Sequence, residues 1–281
     1  MKFADFVIAE TLESARAELK RLGPSGMPVA GGTCFQYLSD RPDITAVDIS
    51  RIGLRGIRHE GNDFHIGANT TLTDMVRYQA EGWVLGEIAT LIPTHQIRNI
   101  STAAGNIARL FPWSELPLGL LVLDGTVTVQ NDHTRSLSAR EFFAARAAKS
   151  LEPGDLITRI TVNAVTPPTG FGYRKENVTN SAFALVSAAA ALTIRDGTIT
   201  RARVAVGSAL PVPTPLPALE QALEGAPADA ASFSKPVAEA AAEVRWKGRE
   251  GMSDEYAARI APIIISDALE EALRRAQGDE A

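Results

Sequence analysis

Two short segments carry residue types suited to holding a phosphate group. The first is Val29-Ala30-Gly31-Gly32-Thr33-Cys34-Phe35, at the end of the strand-like stretch Pro28-Val29-Ala30. The second runs from Gln96 to Asn106 and closes on Thr102-Ala103-Ala104-Gly105-Asn106. Small side chains let a backbone approach a ligand closely, and consecutive amides in such turns form an anion-binding nest. The threonines and the asparagine add neutral donors, which suits a pyrophosphate without setting a strong positive charge against it. Either segment alone reads as a tight turn. The familiar phosphate fingerprints are missing: there is no GxGxxG and no GxxxxGK[ST], nor a GxSxG nucleophile elbow. A nucleotide site here would be built from the two separated segments together.

Other chemistries find little support. Cys34 is the single cysteine, so this chain supplies no disulfide framework, cysteine-rich zinc site or iron–sulfur cluster. His59, His65, His95 and His133 show no HExxH or other close ligand spacing, so no metal site is expected. Cys34 itself reads as a small buried hydrophobe, with no cation nearby in sequence to lower its pKa. His95 reads as a loop hydrogen-bonding residue, and Arg98 and Asn99 as residues that hold the second segment in shape. Trp83, Trp113 and Trp246 read as packing residues. Pro112-Trp113-Ser114 is also a candidate cover for an adenine or ribose. The formal net charge is −5 with Lys and Arg thinly spread, which lacks the basic stripe of a nucleic-acid binder. No apolar run reaches the roughly 18–20 residues of a membrane span. The first ten residues contain Asp5 and Glu10 and no signal-like apolar region. A cytoplasmic location is expected.

These segments need elements to position them, and with 281 residues, 45% of them hydrophobic, the chain is long enough for two modest domains. Thr11 caps a helix whose Leu12, Ala15, Leu19 and Leu22 share a face and which Gly23 ends. Short strands are expected at 28–30, 46–49 and 63–67, with 40–43 as turn material, and Thr73 opens a helix. A polar loop is expected from Thr94 to Asn106. A buried helix covers Pro117 to Leu123, a strand Val127 to Gln130, and Ser138 with Glu141 forms a capping box. Two prolines and a glycine between Val165 and Gly170 mark a domain boundary. Asp196-Gly197 is a strong hairpin signal between Ala182–Ile194 and Ile199–Ser208. After a proline-rich connector the last sixty residues read as alanine-rich helix, with Ile260, Ile263, Ile264, Leu269 and Leu273 buried. Arg174-Lys175-Glu176, taken alone, reads as a solvated turn before a strand.

Taken together, the two segments resemble the PxAGGT/H-type and QIRNxxTxGGN loops of the FAD-binding subunit of the molybdenum hydroxylase family, the xanthine dehydrogenase and carbon monoxide dehydrogenase type. Ile66-Gly67-Ala68-Asn69-Thr70-Thr71-Leu72 matches the family's IGAxxTL segment between them. The likeness continues through Glu152-Pro153-Gly154-Asp155-Leu156-Ile157, Tyr173-Arg174-Lys175 and Ala202 to Gly207. It implies an α+β flavoprotein. A PCMH-type FAD-binding domain would cover residues 1–166, in subdomains of about 1–57 and 58–166 with FAD between them. A C-terminal flavoprotein domain, residues 170–281, would be a small three-stranded antiparallel sheet with helices.

The same resemblance implies that Val29 to Phe35 wrap the FAD pyrophosphate and that Thr102, Ala103, Ala104, Gly105 and Asn106 complete the cradle. Glu115 falls where the family places an acid that hydrogen-bonds FAD, Ile157 packs near the isoalloxazine, and Lys175 approaches the flavin's polar edge. No residue of this chain is assigned a catalytic role. The molybdopterin cofactor and [2Fe–2S] clusters are expected on a large and a small partner subunit, in a complex that is a dimer of heterotrimers. Electrons would pass from the clusters through FAD to NAD or another acceptor. A stand-alone flavin oxidoreductase and a non-catalytic nucleotide-binding or assembly protein are the rival classes. Ala104 stands where the family has the first glycine of TxGGN, and the acid that follows the family's lysine is replaced by Val178 and Ala182. A methyl at 104 is harmless only if its φ is negative.

Overall fold

The protein is described by a computed structural model covering residues 2–145, 151–179, 181–249 and 251–279. It divides into two compact units. One comprises Met1–Tyr78, Ala89–Leu110 and Thr126–Val162, and the other Gln79–Ile88, Phe111–Gly125 and Asn163–Ala281.

The first unit begins with a parallel three-stranded sheet in which Arg41–Asp48 lies between Phe3–Ile8 and Gly26–Val29. The helix Leu12–Leu22 closes it. Thr11 accepts from the Ser14 amide, Gly23 ends the helix at φ 57°, and Ala15 and Leu19 pack with Val47, Ile52 and Leu156. Strand structure here begins at Arg41, inside the stretch read as a turn, because the φ that Pro42 enforces is also one a strand uses. The second sheet of this unit has five strands in the order Ile57–Glu60, Asp63–Gly67, Leu156–Asn163, Thr126–Gln130, Thr134–Ser138. Its inner face is apolar, with Phe64, Ile66, Val127 and Val129 fully buried. Ser138 and Glu141 form the expected capping box.

Two local readings change. Thr71, not Thr73, caps the helix Leu72–Arg77, because Asp74 completes a reciprocal capping box with it. The expected loop at 94–106 is two helical turns, His95–Ile100 and Ala103–Ala108, since Thr102 accepts from the Gly105 amide and starts a new turn.

The second unit is a meander of Thr169–Glu176, Val186–Arg195 and Thr198–Gly207, with the two-residue edge strand Thr214–Pro215. Asp196 (φ 49°) and Gly197 (φ 71°) make the hairpin turn; both are left-handed, as a type I′ turn requires. Helices cover both faces of the sheet. On one side lies Leu116–Val122, buried along its whole length. On the other lie Pro217–Leu223, Ser234–Glu243 and Asp254–Ala276. The last helix buries Ala257, Ala261, Ile264, Ile265, Ala268, Leu269, Ala272 and Leu273, while Ile263 is exposed. The isoleucine cluster fits more than one helical phase, and the alanine stripe sets which one is adopted. That stripe lies against Gly172 and Gly170, where a Cβ would fall 2.0 Å from the carbonyl oxygens of Ala268 and Ala272.

No helix among the described residues is long and apolar enough to cross a membrane. Gly172→Val should lower the unfolding midpoint of this unit by several degrees. Overpacking costs about 1–3 kcal/mol, and each kcal/mol moves the midpoint by about 2–4 °C at this size. An unchanged calorimetric trace would show that helix and strand do not depend on the glycine contact.

Candidate functional site

The two small-residue segments meet within the first unit. Past Val29, whose carbonyl accepts from the Ile49 amide at 2.8 Å, the chain leaves the parallel sheet and turns at Gly32 (φ 64°). The turn is closed by the Phe35 amide donating to the Gly32 carbonyl at 3.1 Å, and Phe35 packs edge-on against Phe3. At Gly31 a Cβ would lie 1.9 Å from the Ile100 carbonyl oxygen, so only glycine fits there. One residue on, Ser101 Oγ donates to Thr33 Oγ1 at 3.1 Å and joins the segments through their side chains.

Backbone donors are spent unequally between them. The amides of Gly31, Gly32 and Thr33 donate to no acceptor among the described residues. By contrast, the second segment uses its own. Ala103 donates to the Thr70 carbonyl at 2.8 Å, Ala104 to Ala68 at 3.1 Å, Gly105 to Thr102 Oγ1 at 3.1 Å and Asn106 to the Thr102 carbonyl at 3.0 Å. An amide nest is therefore available at 31–33 and not at 103–106. What the second segment offers instead is Asn106 Oδ1, which is cut off from solvent and has no hydrogen-bond partner among the described residues. Ala104 lies in a helical turn with negative φ, so its methyl is accommodated without strain. Arg98 is buried and holds the segment from behind, donating to the carbonyls of Thr90 (3.2 Å) and Ile92 (2.6 Å), with His95 Nδ1 at 3.1 Å. Asn99 Oδ1 accepts from Thr73 Oγ1 at 2.7 Å. Cys34 is half-buried and not the fully buried hydrophobe expected; this partial burial pushes its thiol above its ordinary pKa, and the nearby Arg109, which the sequence did not bring to notice, offsets the shift only in part. The thiol stays protonated. Ile157 is buried on the strand Leu156–Asn163, opposite Val129.

Glu115 and Lys175 both belong to the second unit. Lys175 is not in a solvated turn; it lies on the strand Thr169–Glu176, and its Nζ donates to Glu115 Oε1 at 2.6 Å. Both side chains are nearly inaccessible, 8% and 7% exposed. Burial holds the Glu115 carboxyl above its usual range against the pull of Lys175, and Oε2 has no hydrogen-bond partner among the described residues. Tyr173 is buried two residues before Lys175 on the same strand. Its phenol is pushed well above its ordinary pKa by burial and by the Glu115 charge, with Ser187 acting the other way. Strand alternation puts positions 173 and 175 on one face, a signal available once the strand is recognised. Trp113 stacks on Phe111 (4.9 Å) and Phe183 (4.7 Å) with the Arg249 guanidinium 5.5 Å from its ring, so the tryptophan packs against the protein's own groups.

Comparison with known proteins bears on the family and the fold. Residues 1–163 match the family described as the FAD binding domain in molybdopterin dehydrogenase, and residues 172–272 match the CO dehydrogenase flavoprotein C-terminal domain. The chain is 29% identical to the carbon monoxide dehydrogenase medium chain of Afipia carboxidovorans, over 97% of this chain and 98% of that one. It is 31% identical to the alpha subunit of the 6-hydroxypseudooxynicotine dehydrogenase complex of Paenarthrobacter nicotinovorans, over 72% and 71%. Among solved structures, carbon monoxide dehydrogenase from Hydrogenophaga pseudoflava, in a form lacking the Mo-pyranopterin moiety, superposes with a TM-score of 0.91 at 26% identity, covering 98% of both chains.

Lys175→Met should destabilise the second unit by about 3–5 kcal/mol, since it leaves a buried carboxylate without its counter-charge. The sign with pH follows from the raised Glu115 pKa. The cost of the charged carboxyl is complete above its folded-state pKa and is relieved as pH falls toward the unfolded value. Urea titrations should therefore show a larger deficit at pH 8 than at pH 5, and Lys175→Met/Glu115→Gln should abolish that difference. An equal deficit at both pH values would mean that Glu115 is not the group left exposed to the change.

Proposed function

Because the chain belongs to the FAD-binding family of molybdopterin dehydrogenases, we propose that it is the electron-transfer flavoprotein subunit of a molybdenum hydroxylase complex. Its partners in this reading are a molybdopterin-binding large subunit and a small subunit with [2Fe–2S] clusters, assembled as a dimer of heterotrimers in the cytoplasm. When bound, FAD supplies the exchange between one-electron clusters and a two-electron acceptor, NAD⁺ or another.

The observation that carries the reading is the contact of the two small-residue segments. The amides of Gly31, Gly32 and Thr33 in the first segment and the buried Asn106 Oδ1 in the second have no partner among the described residues. Such a set fits a pyrophosphate and its neighbouring hydroxyls: neutral amides take up the negative oxygens, and a carbonyl accepts from a hydroxyl. Val29 to Phe35 and Thr102 to Asn106 hold the cofactor, the first by backbone donation and the second by Asn106 and by the small surface of Ala103 to Gly105. Ile157 gives an apolar wall. Glu115 and Lys175 take the flavin-directed roles implied by the resemblance, Lys175 as the charge that tunes the ring and Glu115 as the group that holds it. The FAD-binding domain is assigned to residues 1–166, in subdomains of about 1–57 and 58–166, and the C-terminal flavoprotein domain to 170–281.

The purified chain should carry close to one FAD per polypeptide, released on denaturation as the dinucleotide. Gly32→Val forces a branched side chain into a left-handed backbone position and toward the Phe35 ring, 3.2 Å from a Cβ. Flavin content should fall by more than tenfold while the circular dichroism stays native. A folded variant with full FAD would remove that segment from the site. Co-purification with the large and iron–sulfur subunits tests the assembly.

Lys175→Met should retain most of its FAD and lower the flavin midpoint potential by tens of millivolts, since about 30 mV corresponds to 1.4 kcal/mol for a two-electron couple. Lys175→Met/Glu115→Gln, in which both charges are gone, should return close to the native potential. Redox titration of the two variants decides it: an unchanged potential in the first returns Lys175 to a purely structural part.

A further inference from the structure

The outer face of the five-stranded sheet carries a concavity of about 300 Å³ that none of the roles above uses. Its floor follows from strand alternation. Phe64 and Ile66 point inward and are fully buried, so His65 faces outward, opposite Arg58 on the neighbouring strand. Ile160 points inward likewise, which turns Arg159 and Thr161 outward, and His65 Nδ1 is bonded to Thr161 Oγ1 at 3.0 Å. The wall is the turn Gly53 to Gly56, with left-handed glycines at 53 (φ 75°) and 56 (φ 121°).

Three arginines are among the residues that line this concavity, Arg55, Arg58 and Arg159. Arg55 is held in place by a two-pronged pair with Asp74, at 2.7 and 2.8 Å. Arg58 and Arg159 make no hydrogen bond or ion pair among the described residues. The amides of Gly53, Leu54 and Arg55 are likewise without an acceptor there. The one carboxylate lining the cavity is Glu60, 3.8 Å from His65 Nε2. With Arg55 neutralised by Asp74, Arg58 and Arg159 face a single carboxylate, Glu60, so the lining is left with an excess of positive charge. Planar guanidinium forks and a run of successive amides are the donors that match tetrahedral oxyanions.

We propose that this pocket binds a phosphate group, either free phosphate or the monoester of a mononucleotide, with Arg58 and Arg159 as its direct ligands. Asp74 is a positioning residue that presents Arg55. None of the residues assigned to FAD (Val29 to Phe35, Thr102 to Asn106, Glu115, Ile157 and Lys175) lines the pocket, although Thr158 follows Ile157 on the same strand.

The test is calorimetric titration of the full, FAD-loaded chain with inorganic phosphate, adenosine monophosphate and adenosine at constant ionic strength. Both anions should bind and adenosine should not. Arg58→Ala/Arg159→Ala should weaken binding by about tenfold or more, as expected for loss of charge-assisted hydrogen bonds, and leave FAD content unchanged. Arg58→Lys/Arg159→Lys should fall between, keeping the charge and losing the fork. Tighter binding of the monophosphate assigns the site to a nucleotide, and equal affinity assigns it to free phosphate. Absence of heat from both anions, or undiminished binding in the double alanine variant, overturns the proposal.

Discussion

The Ile100 carbonyl oxygen sets the shape of the candidate cofactor site. A Cβ at position 31 would stand 1.9 Å from it, far inside van der Waals contact, so the two small-residue segments can touch only where residue 31 has no side chain. That approach brings Ser101 to Thr33. Everything at the site then depends on how the chain pins the second segment: Arg98 braces it from one side, and the carbonyls of Ala68 and Thr70 take its amides from the other. Because those amides are consumed in holding the segment still, the donors left for a ligand concentrate at 31–33. The site is rigid on one side and donor-rich on the other. Pre-organisation of this kind spares a ligand part of the ordering cost of binding.

A different physical logic governs the second unit. Glu115 and Lys175 are an ion pair taken almost wholly out of water. Such a pair is poor economy for stability, since desolvating two charges offsets most of their attraction and an apolar pair would serve as well. Beside it lies Tyr173, another buried titratable group with a displaced pKa, and such clusters mark candidate functional sites. The surrounding sheet makes it possible. On the central strand Ser187 and Ala189, which pair with Lys175 and Tyr173, are themselves buried.

Much of this was legible in the residues themselves where a local rule acts alone. Thr11 and Gly23 bound a helix, Ser138 and Glu141 start one, and Asp196-Gly197 turn a hairpin, each because a hydrogen bond or a left-handed φ is satisfied within a few positions. Local rules failed where two compete. Thr71 and Thr73 are both plausible caps, and the reciprocal bond from Asp74 selects the former. Polar residues at 94–106 suggested a loop, yet Thr102 as a cap and partners as distant as Ala68 and Thr70 fold the stretch into helical turns. Ile263 is exposed: an isoleucine run gives no unique helical phase, whereas the Ala268 and Ala272 backbone packed on Gly172 and Gly170 does.

The sequence by itself determined the class of site: small residues and neutral donors at 29–35 and 102–106, in an order that matches a known pair of cofactor loops, with Glu115 and Lys175 further along. Tertiary structure alone decided which of those groups are free to act. Whether an amide is available depends on what lies within about 3 Å of it, and for Ala103 and Ala104 that is a carbonyl more than thirty residues earlier in the chain. Whether Lys175 is a solvated charge or a buried one depends on Glu115, sixty residues away in sequence and 2.6 Å away in space. Residue types are a local property; hydrogen-bond satisfaction and desolvation belong to the packed chain.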